Sequence, residues 1–471
     1  MGPQAAMNWV RTLFHKAAPE QDYEPLDTDV DVDASFNDEG VGRSAVGSGD
    51  PDEAPFSWFE YSIFLLLGIA MLWAWNMFLA AAPYFQDRFQ TNPAILSHFQ
   101  SSITSVGCIT NLGSMLILSN MQAKASYPKR IMSGLILNPI VFILLAISTS
   151  WFRDVSATGY LTFTLIMVFF TSIATGLCQN GAFAFASSFR RPEYIQAIMT
   201  GQGLAGVLPS IAQIFSVLAL PAPDQQADPG SQAPLLSDQT AKSAFLYFLA
   251  ATIISVLTLA AVFPLVRKHN NMVEANMASS IASVEEAEQA HRKIIGMWQL
   301  YKKLHWFAAA VFVCFTITMF FPVFTQKIVS VIPEAGAPRL FQPAVFIPLG
   351  FLVWNLGDLC GRVSSALPFI VIRHPVVLFV LSITRVIFIP LYLLCNVGNN
   401  GAVINSDAFY LVVVQFGFGL TNGLIGSLCM MNAGKWVDEG EREASGGFMA
   451  VNLVAGLTAG SLLSFLAADV S

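Results

Sequence analysis

The sequence predicts an all-α polytopic membrane protein with eleven transmembrane helices in two bundles, six helices followed by five. Hydrophobic residues make up 54% of the 471-residue chain, charged residues only 12%, and the mean hydropathy is +0.58. Soluble domains usually carry about 25% charged residues, so this composition favours a chain that lies in lipid. Long apolar runs give the number of helices, and the charges of the connections give their direction.

Eleven apolar runs are long enough to cross about 30 Å of hydrocarbon as α-helices. The first and fourth runs are longer than one straight crossing needs, so we expect tilt or an interfacial end there. The runs cover approximately residues 59–83, 99–121, 131–151, 159–187, 194–219, 243–266, 305–326, 343–367, 375–396, 408–432 and 445–468.

Three polar segments interrupt this pattern. Residues 1–57 hold twelve acidic residues against three cations, a net charge of −9, and are expected to form a disordered acidic cytoplasmic tail. Residues 220–241 separate the fifth and sixth runs. Residues 267–304 separate six runs from five, and they contain a candidate helix that begins at Ser283 with Glu286 three residues later, as in a capping box.

The last of these segments predicts how the chain divides. We expect an N-terminal six-helix bundle over 58–266, a cytoplasmic loop over 267–304 and a C-terminal five-helix bundle over 305–471. Two bundles that rock around a central site are the architecture of many secondary transporters, including those of the major facilitator fold.

The charges of the connections predict how the chain is oriented. The connections after the even-numbered runs hold fourteen Lys and Arg residues, whereas the opposite connections hold five. Because positively charged loops stay in the cytoplasm, we expect a cytoplasmic N-terminus. After an odd number of crossings, Ser471 is expected on the other side of the membrane.

Patterns of catalytic or cofactor-binding sites are not recognisable in the sequence. No phosphate-binding P-loop occurs. Gly201-Gln-Gly203-Leu-Ala-Gly206 matches a dinucleotide-binding pattern, but it lies inside the fifth apolar run with no strand before it. Glycines there are expected to let another helix approach closely. The histidines have no metal-ligand spacing, and the cysteines suggest no disulfide framework. We therefore expect a protein that is not an enzyme and holds no cofactor or metal.

The strongest candidate for a functional site is a charged pair inside the eighth run. Asp358 and Arg362 are four residues apart, which places them on one face of a helix, and Asn355 lies one turn earlier on the same stripe. A charge at membrane depth costs from about 2.5 to more than 10 kcal/mol, so such residues usually face a bundle interior or an aqueous cavity. A purely structural pair offsets its desolvation poorly, which favours a functional role.

Other polar residues recur in the middle of the runs. Asn111, Arg385 and Asn422 are interpreted as helix-to-helix contacts, which contribute about 0.6 kcal/mol each on average in measured membrane proteins. For Gln179, a structural and a functional role both stay open. Trp75 on its own would be ordinary packing or an interface anchor.

Several segments, taken in order, resemble the equilibrative nucleoside transporter family, and a fungal or other lower-eukaryotic member is the expectation. The resemblance covers nearly the whole chain from about residue 58, whereas the tail and the 267–304 loop take no part in it. The matching segments are Leu72-Trp-Ala-Trp75-Asn76, Gln179-Asn-Gly181, Gly201-Gln-Gly203-Leu-Ala-Gly206, Asn355-Leu-Gly-Asp358-Leu-Cys-Gly-Arg362, Arg385-Val-Ile-Phe-Ile-Pro390 and Thr421-Asn-Gly-Leu424.

The resemblance implies eleven helices, a cytoplasmic N-terminus and a fold similar to the major facilitator superfamily. It implies facilitated transport of nucleosides by alternating access, with nucleobases taken by some members. At matching positions the leucines and the tryptophan of the first run would flank the base, the glutamine would hydrogen-bond it, and the charged pair would hold the ribose hydroxyls. The candidate substrate-binding residues are Leu72, Trp75, Leu79, Gln179, Asn355, Asp358 and Arg362.

The chemistry of these residues fits a nucleoside without reference to the family. A flat base needs an apolar slot with an aromatic neighbour and an amide that both donates and accepts, and ribose hydroxyls can donate to a carboxylate and accept from a guanidinium. No cationic cluster of the size that a phosphate needs is present, which argues against nucleotides as substrates.

Two other functions stay open on the sequence. A proton-coupled carrier of nucleosides or another small polar solute would use Asp358, but a salt bridge to Arg362 would keep that carboxylate ionised. A multispan receptor or scaffold would transport nothing. The expected partners are a nucleoside or nucleobase substrate and the lipid bilayer, with no nucleic acid and no obligate protein partner. The membrane would be the plasma membrane or a vacuolar or lysosome-like one.

Overall fold

The computed structural model describes residues 56–121, 126–152, 154–189, 191–219, 229–278, 296–333, 337–370 and 372–468. The predicted acidic tail lies outside the described residues, apart from Phe56 and Ser57. The candidate helix that begins at Ser283 also lies outside them.

Eleven helices in this described part are long and apolar enough to cross a membrane, and each one falls on one of the predicted runs. The all-α class and the number of spanning helices are therefore confirmed. The helices are α1 (Trp58–Phe89), α2 (Pro93–Asn120), α3 (Tyr127–Trp151), α4 (Ala157–Ser188), α5 (Pro192–Ala219), α6 (Pro229–Ala278), α7 (Met297–Thr325), α8 (Pro343–Ser364), α9 (Pro375–Leu393), α10 (Phe409–Ala433) and α11 (Arg442–Ala468).

Local sequence signals set where several helices begin. Ser57 caps α1, because its hydroxyl accepts a hydrogen bond from the amide of Glu60 at 3.4 Å. The Asn92 side chain caps α2 by accepting from the amides of Ala94 and Ile95, at 3.2 and 3.3 Å. Both caps satisfy amides that the first helical turn leaves free. Proline opens α2, α8 and α9, where its missing amide proton is not needed.

Four of the spanning helices change their backbone geometry along their length. α1 is interrupted at Ala81 and continues as Ala82–Phe89, and α7 is interrupted at Met319. α9 tightens into a 3₁₀ turn at Arg385–Ile387, just before Pro390, which cannot donate to the carbonyl four residues earlier. The first half of α10, Phe409–Phe416, is a π-helix.

The segment predicted as a loop over 267–304 is helical at both ends. α6 continues to Ala278, and α7 begins at Met297, before the predicted start of the seventh run. Residues 267–278 contain neither glycine nor proline, so nothing in them ends the helix that leaves the apolar run. Hydropathy marks only the part of a helix that suits lipid. For that reason the predicted sixth run ends before α6 does, and the predicted seventh run begins after α7 does.

The helices pack in two sets, which we call the N-bundle (α1–α6) and the C-bundle (α7–α11). In the N-bundle, α1 lies against α5 and α6, and α4 lies against α2 and α3. In the C-bundle, α8 lies against α10, and α7 lies against α9 and α11. The two sets touch through α5 with α8 and α10, and through α11 with α2 and α4.

Buried apolar side chains form three clusters that show how the bundles meet. One cluster draws on both bundles, from Ile63 in α1 to Val454 in α11. A second cluster contains only N-bundle residues, and a third contains only C-bundle residues. The bundles therefore share one core at the end of the molecule where α1 begins, which we call the joined end. They have separate cores at the opposite end, which we call the divided end.

Candidate substrate site

Asp358 and Arg362 form the ion pair that their spacing on α8 predicts. Arg362 Nε donates to Asp358 Oδ2 at 2.7 Å, and each side chain is only 5% exposed. Both groups are packed among helices rather than turned to the surface. Because an isolated charge at this depth is costly, each group depends on the other and on further hydrogen bonds.

The second carboxylate oxygen has its own partner on α10. Asn422 Nδ2 donates to Asp358 Oδ1 at 2.7 Å, and Asn422 Oδ1 accepts from the Thr318 hydroxyl on α7 at 2.6 Å. The sequence interpretation took Asn422 as a contact between helices. In the structure Asn422 makes that contact and also donates a hydrogen bond directly to the carboxylate. Both oxygens of Asp358 therefore accept a hydrogen bond from a side chain.

Arg362 reaches from the C-bundle to the N-bundle. Its Nη1 donates to the carbonyl oxygen of Met199 at 2.9 Å and to Gln202 Oε1 at 3.3 Å, both on α5. In return, Gln196 Nε2 donates to the Arg362 carbonyl oxygen at 3.3 Å. Arg362 Nη2 donates to no acceptor among the described residues. The pair thus lies at the interface between the two bundles, and one guanidinium nitrogen, Nη2, has no hydrogen-bond acceptor among the described residues.

The glycines of α5 bring this helix close to its neighbours, as the sequence predicts. A Cβ atom at Gly201 would overlap the backbone of Leu65 in α1. A Cβ atom at Gly203 would lie 3.1 Å from Arg362 Cδ, and one at Gly206 would collide with the Asn355 side chain. The pattern therefore lets α5 pack closely against α1 and against α8, and this packing positions the groups on α5 that Arg362 contacts.

Asn355 lies on the stripe of the charged pair but is directed at α5. Its Nδ2 donates to the carbonyl oxygen of Phe351 at 2.9 Å and to Ser210 Oγ at 3.3 Å. Asn355 therefore connects the bundles one turn away from Asp358.

Four glycines join α8 to α10 backbone to backbone. A Cβ atom at any of them would overlap a carbonyl oxygen of the opposite helix, so no larger residue fits without moving the helices apart. The ion pair and its amide partner are therefore carried by two helices in direct contact. The glycines are Gly357 and Gly361 on α8, and Gly419 and Gly423 on α10.

The aromatic candidate of α1 packs beside a glycine of α2. A Cβ atom at Gly107 would lie 2.9 Å from the six-membered ring of Trp75, so the glycine makes room for the indole. The neighbouring Asn76 is turned to α5, where its Nδ2 donates to the carbonyl oxygen of Ala205 at 2.6 Å. These two residues fix the rotation of α1 in the N-bundle.

The two candidate leucines follow from that rotation. On a helix, Leu72 and Leu79 lie on the strip between Trp75 and Asn76, so they project between α2 and α5. Leu79 is 43% exposed, although it lies well inside a spanning helix. Both leucines are placed to present apolar surface beside Trp75.

Gln179 on α4 is buried and forms an amide pair that the sequence does not reveal. Its Oε1 accepts from Asn111 Nδ2 on α2 at 3.3 Å, while its Nε2 has no acceptor among the described residues. Asn111 Oδ1 is also buried without a partner. The adjacent Asn180 is fully engaged, by Arg130 and by the Ser119 hydroxyl.

The predicted residues thus fall into two groups, one on each bundle, and no hydrogen bond joins the groups among the described residues. The N-bundle group offers apolar surface and the free Gln179 Nε2, and the C-bundle group offers a carboxylate and the free Arg362 Nη2. Such a set can bind a flat, uncharged solute that carries hydroxyl groups.

A second buried guanidinium was taken for a helix contact in the sequence. Arg385 on α9 is 1% exposed, and it donates to the hydroxyls of Thr421 and Thr318 at 3.2 and 3.1 Å. Among the described residues no carboxylate forms an ion pair with it. A single sequence does not show which helices surround α9, so its connection to the site could not be read from the chain.

The described residues contain no group of three or more potential metal ligands. All six cysteines are free.

Comparison with known proteins decides the family. The sequence profile described as nucleoside transporter matches residues 165–468, well over half of the chain, including Gln179 and the Asp358–Arg362 pair. The chain belongs to the nucleoside transporter family.

Relatives along nearly the whole length support this membership. The nucleoside transporter FUN26 of Saccharomyces cerevisiae is 30% identical over 465 residues, which cover 86% of this chain and 83% of that protein. The equilibrative nucleoside transporter 1 of Homo sapiens is 26% identical over 460 residues, covering 86% of this chain and 95% of that protein. The resemblance to the nucleoside transporter family is therefore confirmed, and the yeast relative agrees with the expectation of a fungal member.

Solved structures show that this nucleoside transporter family member has the major facilitator fold. The proton:xylose symporter XylE superimposes with a TM-score of 0.57 at 12% identity, covering 87% of this chain and 87% of that one. The E. coli fucose:proton symporter FucP gives a TM-score of 0.51 at 14% identity, covering 88% and 97%. At these identities the likeness concerns the fold alone, and it confirms the predicted architecture.

Proposed function

We propose that this protein carries nucleosides across a membrane by facilitated alternating access, and that it also accepts nucleobases with lower affinity. The observation that carries the proposal is the buried Asp358–Arg362 pair, which lies between the bundles and bonds across to α5. Family membership supports a nucleoside as the substrate.

The geometry supports a division of the substrate between the two bundles. Ribose hydroxyls would donate to Asp358 and accept from the unused Nη2 of Arg362, while the base would lie against Trp75, Leu72 and Leu79. The free Nε2 of Gln179 would donate to a ring nitrogen or carbonyl oxygen of the base. A nucleobase would keep the contacts of the base with the N-bundle residues and would lose the contacts of the ribose with Asp358 and Arg362. For that reason we expect it to bind more weakly.

Alternating access would proceed by opening the joined end. The bonds from Arg362 to Met199 and Gln202 cross from one bundle to the other, so they must break when that end opens. In this proposal the bundles are the units over 58–266 and 305–471, linked by 267–304. A sugar bound to Arg362 would replace the lost α5 contacts and would lower the cost of opening.

We further propose that transport is not coupled to protons. Asp358 accepts hydrogen bonds on both oxygens, from Arg362 and Asn422. A coupling group has to exchange a proton with solvent in each cycle, whereas the oxygens of this buried carboxylate are already held by two donors of the protein.

The charge of the connections supports a cytoplasmic N-terminus and a non-cytoplasmic C-terminus. The joined end would then be the cytoplasmic end, and the divided end would face the outside of the cell or the lumen of an organelle. The plasma membrane and a vacuolar or lysosome-like membrane are both compatible with this orientation.

The test is equilibration of radiolabelled uridine and adenosine into liposomes that contain the purified protein. We expect uptake to reach equal concentrations inside and outside, to be unaffected by an imposed pH gradient, and to be competed by nucleosides more strongly than by nucleobases. Asp358→Ala should lose most of the uptake, because the substrate loses its acceptor and Arg362 its partner. Normal uptake by a stable Asp358→Ala protein would contradict the site, and accumulation driven by the pH gradient would contradict facilitated transport.

A further inference from the structure

Arg385 is a buried cation whose immediate partners are all uncharged. Its guanidinium donates to Thr421, to Thr318 and to the carbonyl oxygens of Cys314 and Phe418, and it lies 4.7 Å from the centre of the Phe418 ring. These groups supply hydrogen bonds but no compensating charge. A guanidinium in such surroundings is costly unless a negative group lies close by.

A path of hydrogen bonds leads from Arg385 to Asp358. Arg385 Nη2 donates to Thr318 Oγ1 at 3.1 Å, the Thr318 hydroxyl lies 2.6 Å from Asn422 Oδ1, and Asn422 Nδ2 donates to Asp358 Oδ1 at 2.7 Å. Because Thr318 Oγ1 accepts a hydrogen bond from the guanidinium, the hydroxyl proton points away from Arg385. Two acceptors lie within reach of that proton, the amide oxygen of Asn422 and the carbonyl oxygen of Cys314. The Nδ2 group of Asn422 is then left to face the carboxylate.

The two guanidiniums near Asp358 differ in what surrounds them. Arg362 depends on α5 of the opposite bundle, through Met199 and Gln202, and these contacts must break when the joined end opens. The path from Arg385 stays inside the C-bundle, on α7, α9 and α10. The glycine contacts between α8 and α10 keep the carboxylate attached to that path. The path from Arg385 to Asp358 would therefore survive any movement that leaves the C-bundle intact.

We propose that Arg385 is a positioning residue, which acts through Thr318 and Asn422 to compensate the charge of Asp358 and to keep this carboxylate aimed at the substrate while Arg362 exchanges its α5 contacts for the sugar. The proposal rests on the proposed transport of nucleosides and adds a residue and a role to it. Arg385 contacts no substrate in this scheme.

The scheme predicts which kinetic constant changes. The charged groups that face Asp358 are Arg362 on its own helix and Arg385 on α9, whereas α5 and α10 bring uncharged amides and a thioether. Without Arg385, the Thr318 hydroxyl and the Asn422 amide lose the group that orients them, so Asp358 should be held less well for the substrate. Binding of the substrate should therefore weaken, while the maximal rate of transport should change little.

The experiment measures KM and Vmax for zero-trans uridine uptake by proteoliposomes. Arg385→Gln keeps hydrogen-bond donors but removes the charge, and Arg385→Lys keeps the charge. We expect Arg385→Gln to raise KM at least about tenfold with little change in Vmax. Arg385→Lys should bring KM back towards the wild-type value. Tyr392→Phe is the matched control, because it removes a buried hydrogen bond to Gln415 in the same bundle without touching the path. Its KM should match that of the wild type.

A stable Arg385→Gln protein with the wild-type KM would overturn the proposal. If that variant does not fold, Thr318→Val cuts the path with the cation still in place. A raised KM in Thr318→Val would then support the proposal, and an unchanged KM would overturn it. Failure of the wild-type protein to move uridine is a separate outcome that contradicts the proposed function and not the role of Arg385.

Discussion

Two adjacent amides on α4 have different environments, although the sequence gives them the same chemistry. Gln179 shares its oxygen with Asn111 and keeps a free Nε2, whereas Asn180 is bound on its oxygen by Arg130 and donates to Ser119. At the scale of single residues, a polar side chain is available to a substrate only where the protein leaves one of its atoms unused. By that criterion we propose Gln179 as a binding residue and Asn180 as a structural one.

Substituting the two amides should separate binding from stability. Gln179→Leu removes the free donor, so we expect KM for uridine to rise about 2- to 10-fold with little change in the amount of folded protein. Asn180→Ala leaves Arg130 without its side-chain acceptor, so we expect a lower Tm and an unchanged KM. Uptake kinetics and thermal unfolding of both variants check this, and an unchanged KM in Gln179→Leu would remove Gln179 from the site.

At the scale of structural elements, the ion pair and its amide partner lie on two helices, α8 and α10. Their glycines bring the backbones together, and Asn422 is thereby placed on the carboxylate of Asp358. The Asp358–Arg362 pair could be predicted from the sequence because both residues lie on one helix, where spacing fixes geometry. The contacts of Asn422 and Arg385 could not be predicted, because they depend on which helices stack together, and no periodicity in one chain reports that.

A methyl group at this contact should separate the helices. In Gly419→Ala the new Cβ would overlap the carbonyl oxygen of Trp354, so we expect a loss of about 1–3 kcal/mol and a lower Tm. Gly113→Ala in α2 is the matched control, because a Cβ there meets nothing within 4 Å. Alanine should leave that position as stable as before or slightly more stable. Equal Tm values for the two variants would argue against close backbone packing of α8 and α10.

At the scale of the whole molecule, the two bundles share a core at one end only. The number of spanning helices could be predicted, because hydropathy measures the quantity that lipid selects. The end at which the bundles join could not be predicted, because the shared and the separate cores are all built from apolar residues of spanning helices. Packing of whole helices, and not any local pattern, decides that arrangement.

A cross-link at the joined end should stop transport if this end has to open. Ser119 on α2 and Gly447 on α11 belong to different bundles, and a Cβ at Gly447 would lie 3.9 Å from the Ser119 hydroxyl oxygen. This spacing suits a disulfide after a small adjustment. We expect the oxidised Ser119→Cys/Gly447→Cys protein to lose uridine uptake and to regain it with a reductant. The single variants are the controls, and undiminished uptake in the cross-linked protein would contradict opening at this end.

Asp358 is proposed to accept hydrogen bonds from the hydroxyl groups of the sugar, and a comparison of uridine with 2′,3′-dideoxyuridine tests this role most directly. Inhibition constants for both compounds would be measured against labelled adenosine uptake, in the wild type and in Asp358→Asn. Because each lost hydrogen bond to a charged group costs about 1.5–3 kcal/mol, the wild type should prefer uridine at least about tenfold. Asp358→Asn should bind the two compounds almost equally. The same preference in both proteins would show that the ribose is recognised elsewhere.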